Sequence, residues 1–168
     1  MHFKVITESV LTITAFAGIF WATSHGTSHK EDDFDSIEYV APAPVDSSAI
    51  NWEKMDRSER MAHMKQVVFP AMKTAFQTVD PKKYANMKCV TCHGAGAKDD
   101  SYKMPNPQLM KLPRSKEGWD KIMTEKADML KFMKEHVKPD MAKLLGMKPF
   151  DMKTKTGFGC GNCHTDEE

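Results

Sequence analysis

The cysteines of this chain fall into two copies of one short pattern. The 168-residue sequence has four cysteines, which form two Cys-x-x-Cys pairs, and a histidine directly follows each pair. The residues are Cys89, Cys92 and His93 in the first copy and Cys160, Cys163 and His164 in the second. Cys-x-x-Cys-His is the attachment signature of c-type haem. The pattern therefore predicts two covalently bound haems c, with His93 and His164 as ligands of the two irons.

Three other uses of paired cysteines fit this sequence less well. The pairs of a zinc ribbon usually lie about 15–20 residues apart, whereas 67 residues separate Cys92 from Cys160. A thioredoxin-like dithiol needs a βαβ context, and the chain has almost no strand signal. Disulfides within each pair are compatible with an exported protein, but they leave the histidine after each pair unexplained.

The two motifs belong to a longer internal repeat. Residues 64–72 align with residues 133–141 at an offset of 69 and share Met, Lys, Val, Pro and Met, and the motifs follow at an offset of 71. We therefore expect an all-α fold of two helix–loop–Cys-x-x-Cys-His repeats, spanning about 52–97 and 116–168. The haems should form much of the core.

Hydrophobic periodicity predicts one long helix in each repeat, over residues 52–78 and 116–145. Their limits are indicated by N-caps at Asn51 and Ser115 and by stops at Asp80-Pro81 and Gly146. Pro70 and Pro139 lie inside these helices at equivalent repeat positions, and each should kink its helix there. Short helical turns should begin at the first cysteine of each motif.

The chain has 14 methionines, and we expect two of them to be the second axial ligands of the irons. No methionine follows His164 in the sequence, so its distal ligand should come from upstream, and by the repeat the same holds for the first haem. We predict Met72 and Met141, near the helix ends. Met64 and Met133, central in the apolar stripes, are the alternative.

Other candidates for the distal position lack support from the repeat. Met104, after the first motif, has no counterpart in the second half. His63 and His136 could give bis-histidine ligation, but they occupy different repeat positions. Facing solvent, or supporting an iron ligand through a hydrogen bond, suits these two histidines better.

The charge balance separates the chain into regions. With 24 basic and 23 acidic residues the net charge is +1, which excludes a polycation for coating nucleic acid. This near-neutral net charge is the sum of two unlike regions: an acidic tether rich in Pro, Ala and Ser over 23–51, and a basic domain over 52–168. Residues 1–22 carry an apolar stretch, predicted to be a hydrophobic helix that anchors the chain in the bacterial inner membrane with its N-terminus cytoplasmic. The alternative is a soluble periplasmic protein after signal cleavage.

The order of helix, methionine, loop and motif resembles the tetrahaem cytochrome subunit of photosynthetic reaction centres. In that family a helix supplies the distal Met and the following loop enters Cys-x-x-Cys-His. The resemblance covers residues 55–92 and 119–164 and rests on motif order. Two haems, longer loops and a Met-Pro-Asn-Pro connector depart from the family. The resemblance therefore implies a dihaem electron-transfer cytochrome but no photosynthetic role.

We expect a membrane-tethered dihaem cytochrome c on the periplasmic side that transfers electrons by outer-sphere transfer. It should serve redox partner proteins as an accessory subunit of a respiratory or photosynthetic complex. As an electron-transfer protein it should have no catalytic residues and no small-molecule substrate. If one iron had an open axial site, a haem enzyme with peroxidase-like or nitrogen-oxide chemistry, or a gas or redox sensor, would be the alternative.

Overall fold

The computed structural model describes Tyr39, Ala41, Asp46 and residues 48–168. In this part of the chain the secondary structure is helical, with no strand and only three isolated β-bridges. The all-α prediction is therefore confirmed for the described residues. No helix among them is long and apolar enough to cross a membrane. The hydrophobic segment 1–22 and most of the tether 23–51 lie outside the described residues.

The first long helix begins later than predicted. It consists of α1 (Arg57–His63), a π-turn (Met64–Val68) and α2 (Phe69–Val79). Its N-cap is Asp56, whose carboxylate accepts from the Glu59 N–H in a reciprocal capping box. The predicted cap at Asn51 is wrong, because residues 51–54 form a separate turn in which Lys54 N–H donates to the Asn51 carbonyl. The predicted stop is confirmed at Asp80.

The second long helix is interrupted once. It consists of α4 (Lys116–Glu125), α5 (Ala127–Phe132), a π-turn (Met133–Val137) and α6 (Lys138–Leu144). Ser115 caps it as predicted, accepting from Gly118 N–H at 3.0 Å. The prediction of a continuous helix is wrong at Lys126, where φ is −139°. Just before this break the Thr124 hydroxyl bonds the Asp120 carbonyl, a contact that bends helices.

Gly146 ends the second helix as predicted. Its φ of +60° lies in the left-handed region, which glycine adopts without a steric penalty. Gly146 N–H donates to the Lys143 carbonyl and Met147 N–H donates to the Ala142 carbonyl. These two bonds form a Schellman motif, which satisfies carbonyls that the helix end would otherwise leave unpaired.

The same backbone irregularity occurs in both repeats. The π-turns begin at the equivalent methionines Met64 and Met133. Each is closed by a hydrogen bond between residues five apart, from Phe69 N–H to the Met64 carbonyl in the first and from Lys138 N–H to the Met133 carbonyl in the second. A proline follows at the start of the next α-helix in each case. Because proline has no N–H and its ring clashes with the carbonyl four residues back, a wider turn gives it room. The expected disturbance at the prolines therefore takes the form of a π-turn.

The core joins the two long helices. Phe76 of α2 and Phe132 of α5 meet edge to face, with ring centroids 5.2 Å apart, and His63 Nε2 donates to the Leu144 carbonyl at 2.7 Å. The buried apolar residues are Val68, Met72, Ala75, Phe76, Met87, Phe132, Ala142, Leu144, Leu145 and Phe158. This core brings the methionines of both repeats into one packed cluster.

Candidate functional site

The first Cys-x-x-Cys-His motif is a single helical turn, α3 (Cys89–His93). Because residues three apart on a helix are neighbours, Cys89 and Cys92 lie on one side of this turn and His93 follows directly. Lys88 N–H donates to the Thr91 hydroxyl at 3.1 Å and fixes the start of the turn. Gly94, with φ at +56°, ends it.

The second motif forms a tighter turn, the 3₁₀ segment Cys160–Asn162. Cys163 N–H and His164 N–H both donate to the Cys160 carbonyl, at 3.0 and 2.9 Å, and the Asn162 side chain accepts from Gly159 N–H at 2.7 Å. Residues three apart eclipse one another in a 3₁₀ turn, so Cys160 and Cys163 share one side. The predicted helical turns at Cys89 and Cys160 are thus confirmed.

All four thiols are free. Burial raises the pKa of Cys92 to about 11, with a further contribution from the neighbouring Cys89. Burial likewise raises the pKa of Cys163 to about 11, and Cys92 of the other motif adds to this shift. The second cysteines of the two motifs are therefore close enough to interact. In the described residues no group of three or more His, Cys, Asp or Glu side chains could hold a metal ion.

The two motif histidines have different surroundings. His164 Nδ1 lies 2.7 Å from the Met110 carbonyl oxygen; since a carbonyl only accepts, Nδ1 carries the proton and Nε2 keeps its lone pair for a metal. His93 Nδ1 is buried and has no hydrogen-bond partner. Burial lowers the pKa of His93, with a smaller opposing effect from the Tyr102 backbone. Burial of His93 thus favours the neutral imidazole, which is the form that binds metals.

The segment between the repeats contains a residue that the sequence analysis missed. Asn106 is 2% exposed. Its Nδ2 donates to the Cys92 carbonyl at 2.9 Å, and its backbone N–H donates to the Cys163 carbonyl at 2.9 Å. In the sequence it is distinguished only by its position between Pro105 and Pro107. A buried asparagine is hydrogen-bonded as a rule, but no sequence signal identified its partners.

The methionine candidates all contact the core cluster. Met72 is a buried member, 4% exposed. Met64, Met133 and Met141 are partly buried and pack against the cluster, as do Cys92 and Cys163. These cysteines and the four methionines of the two repeats therefore share one packed region. Met104 lies outside this cluster, in the connector.

The π-turns change which methionines share a helix face. Eight residues of regular α-helix rotate by about 800°, which would leave Met64 and Met72 about 80° apart around the axis. A π-turn holds about one more residue per turn and removes about 100° of rotation, bringing them within about 20°. The same holds for Met133 and Met141, because the second π-turn occupies the equivalent position. Each helix thus presents both of its repeat methionines on one face.

Both histidines considered as distal ligands are engaged elsewhere. His63 donates from Nε2 to Leu144, as described above. The His136 ring stacks on Tyr39 with centroids 3.7 Å apart, and the Tyr39 hydroxyl donates to Asp140. Both side chains are partly buried, whereas the sequence had predicted that they face solvent or support an iron ligand.

The described residues fit a covalently bound haem at each motif. Each site offers two free thiols on one side of a turn. It also offers an adjacent imidazole, and its second cysteine packs against the cluster that contains the methionines. Comparisons with protein families, with curated protein sequences and with solved structures find no match to this chain.

Proposed function

We propose that this chain is a dihaem c-type cytochrome that transfers electrons and performs no bond chemistry. The observation that carries the proposal is the doubled Cys-x-x-Cys-His motif. In each copy a single turn presents two free thiols on one side, with the imidazole next to them. No other common use of this pattern needs the two thiols and the histidine together.

The residues of each motif have separate roles in this proposal. Cys89 and Cys92 hold one haem and Cys160 and Cys163 the other. His93 and His164 bind the irons from one side, and for His164 the bond from Nδ1 to Met110 sets the tautomer and the ring orientation. Haem bound in this way supplies an iron that exchanges one electron at a time.

Methionines from the long helices are proposed as the opposite ligands. Met72 and Met141 remain the first choice and Met64 and Met133 the alternative. The π-turns bring the two methionines of each helix onto one face, which is compatible with either pair. Methionine opposite histidine raises the reduction potential. It also fills the second axial position, so that no coordination site is open to a substrate.

The exposed basic surface supports a role in which the protein meets acidic protein partners. Exposed lysines lie near the first motif in the sequence, among them Lys88 and Lys103, and basic surfaces attract acidic partners. We place the domain on the periplasmic side of the bacterial inner membrane, as an accessory subunit of an electron-transfer complex. Tyr39 packs on Phe132 and His136 of the second long helix.

Absorption and EPR spectra of the oxidised protein test this function. The proposal predicts two low-spin ferric centres and a methionine-to-iron charge-transfer band, with no rapid binding of CO by the reduced protein. A high-spin centre that binds CO would instead indicate an open axial site and support the haem-enzyme or sensor alternative. Apo-protein prepared without covalent maturation is the control, since it should show none of these signals.

A further inference from the structure

We propose that Asn106 is a positioning residue that fixes the two haem-attachment motifs against each other, so that the two bound groups are electronically coupled. This inference rests on the proposed function. It concerns one buried side chain whose hydrogen bonds reach both motifs.

Asn106 bonds the same backbone atom in both repeats. The carbonyl of Cys92 accepts from its side-chain Nδ2, and the carbonyl of Cys163 accepts from its backbone N–H, each at 2.9 Å. Cys92 and Cys163 are the second cysteines of their motifs and occupy equivalent repeat positions. A single residue therefore sets the separation of two equivalent points on the two sites.

The flanking residues restrict the backbone of Asn106. Pro105 and Pro107 have fixed φ angles and no N–H, so Asn106 supplies the only backbone donor of this tripeptide. Its Oδ1 accepts from Gln108 N–H at 2.9 Å, which orients the side-chain amide with Nδ2 toward Cys92. The side chain is 2% exposed, so water does not compete for these bonds.

Further bonds hold the connector (residues 98–114) to each motif. On the first motif, Gln108 Oε1 accepts from Ala95 N–H at 2.7 Å. A Cβ on Gly94 would lie 2.3 Å from that oxygen and 2.7 Å from Asn106 Oδ1, so the close approach requires glycine. On the second motif, Leu112 N–H donates to the Thr165 carbonyl at 2.8 Å. The part of the connector that follows Asn106 is thus bonded next to both motifs.

Circular dichroism of the Soret band tests this inference, because two haems held at short range in a fixed orientation give a paired positive and negative signal. The full-length holoprotein carrying Asn106→Ala or Asn106→Asp is compared with wild type. Both changes remove the donor to Cys92, and the aspartate keeps the size of the side chain. We expect both variants to lose most of the paired signal while retaining two haems by mass. Asn86→Ala, at an exposed loop asparagine, is the matched control and should keep it.

The outcomes separate this inference from the proposed function. A wild-type chain with two haems and no paired signal would overturn the coupling alone, as would Asn106 variants with two haems and an unchanged signal. A chain with no added haem would overturn the proposed function itself. If the Asn106 variants do not mature, Gln108→Ala at an exposed position removes the bond to Ala95. It should weaken the signal, and an unchanged signal there would equally contradict the inference.

Discussion

The two Cys-x-x-Cys-His motifs share a sequence pattern but differ in structure. The first is a full helical turn with a histidine whose Nδ1 is buried and has no partner. The second is a three-residue turn with an exposed first cysteine, and its histidine donates from Nδ1 to the Met110 carbonyl. Duplication has therefore preserved the chemical groups of the site, whereas the surrounding chain has made the two copies unequal.

This difference has a consequence for the iron of each site. A hydrogen bond from the proximal histidine to an acceptor raises the basicity of the ligand and stabilises the oxidised iron. The site of His164 has this bond at 2.7 Å, whereas the ring of His93 has only a weaker interaction with the Tyr102 backbone, which does not meet hydrogen-bond geometry at Nδ1. We therefore expect the first haem to have the higher reduction potential, so that it is reduced before the second.

The largest effect on this comparison comes from removing one motif at a time. The double variant Cys89→Ser with Cys92→Ser should lose the mass of one haem and report the second site alone. The double variant Cys160→Ser with Cys163→Ser should report the first site alone. Redox titration should then give a lower reduction potential, by tens of millivolts, for the Cys89→Ser, Cys92→Ser variant, whose remaining haem is bound through His164. Equal potentials would show that the unequal hydrogen bonding has no effect.

Replacing single methionines shows which ones bind iron in each half. Met72→Leu and Met141→Leu remove the sulfur while conserving volume, at a stability cost below about 1.5 kcal/mol. Each should abolish about half of the methionine-to-iron charge-transfer band, since one of two equivalent ligands is lost. Met64→Leu and Met133→Leu are matched controls that should retain it. The reverse result would assign the distal position to the methionines at the start of the π-turns.

The residue after each motif histidine offers a test of packing. Gly94→Ala should destabilise the protein by about 1–3 kcal/mol, because φ of +56° with ψ of −133° is a conformation that residues with a Cβ rarely adopt, and the added Cβ would also meet Gln108. At the equivalent position of the second repeat the Thr165 hydroxyl is buried without a partner. Because burying an unpaired hydroxyl is unfavourable, Thr165→Ala should be neutral or stabilising. Unfolding in urea measures the free energy of unfolding of both variants. A similar loss of stability in the two would contradict the contrast between Gly94 and Thr165.

The smallest effect is expected at His63. His63→Ala removes the bond to the Leu144 carbonyl and should lower the free energy of unfolding by about 1 kcal/mol. The spectra of both irons should be unchanged. His136→Ala, which loses the stacking on Tyr39, is the matched control. Loss of a low-spin signal in either variant would reinstate bis-histidine ligation.

Features set by local sequence could be predicted well. The cap at Ser115, the stops at Asp80 and Gly146, and the turns at the motifs depend on residues within one helical turn of one another. The start of the first helix was misplaced because Asn51 and Asp56 are both good N-caps, and only Asp56 is followed three residues later by a glutamate that completes a capping box.

Features that depend on distant residues were not predictable. The bond from His164 to Met110 spans 54 positions in the sequence, and Asn106 meets motifs on both sides of it. No periodicity or local pattern reports such contacts. The π-turns lie between these cases: the duplicated prolines indicated where the helices are disturbed, but the sequence did not show that the disturbance would align the paired methionines.

The intact mass of the mature chain, measured after denaturation under reducing conditions, tests the central claim most directly. Thioether-bound haem survives this treatment, whereas zinc and disulfides do not. The account predicts the mass of the polypeptide plus two haems, with one haem on the peptide that contains Cys89 and Cys92 and one on the peptide that contains Cys160 and Cys163. A mass equal to that of the bare polypeptide would contradict it.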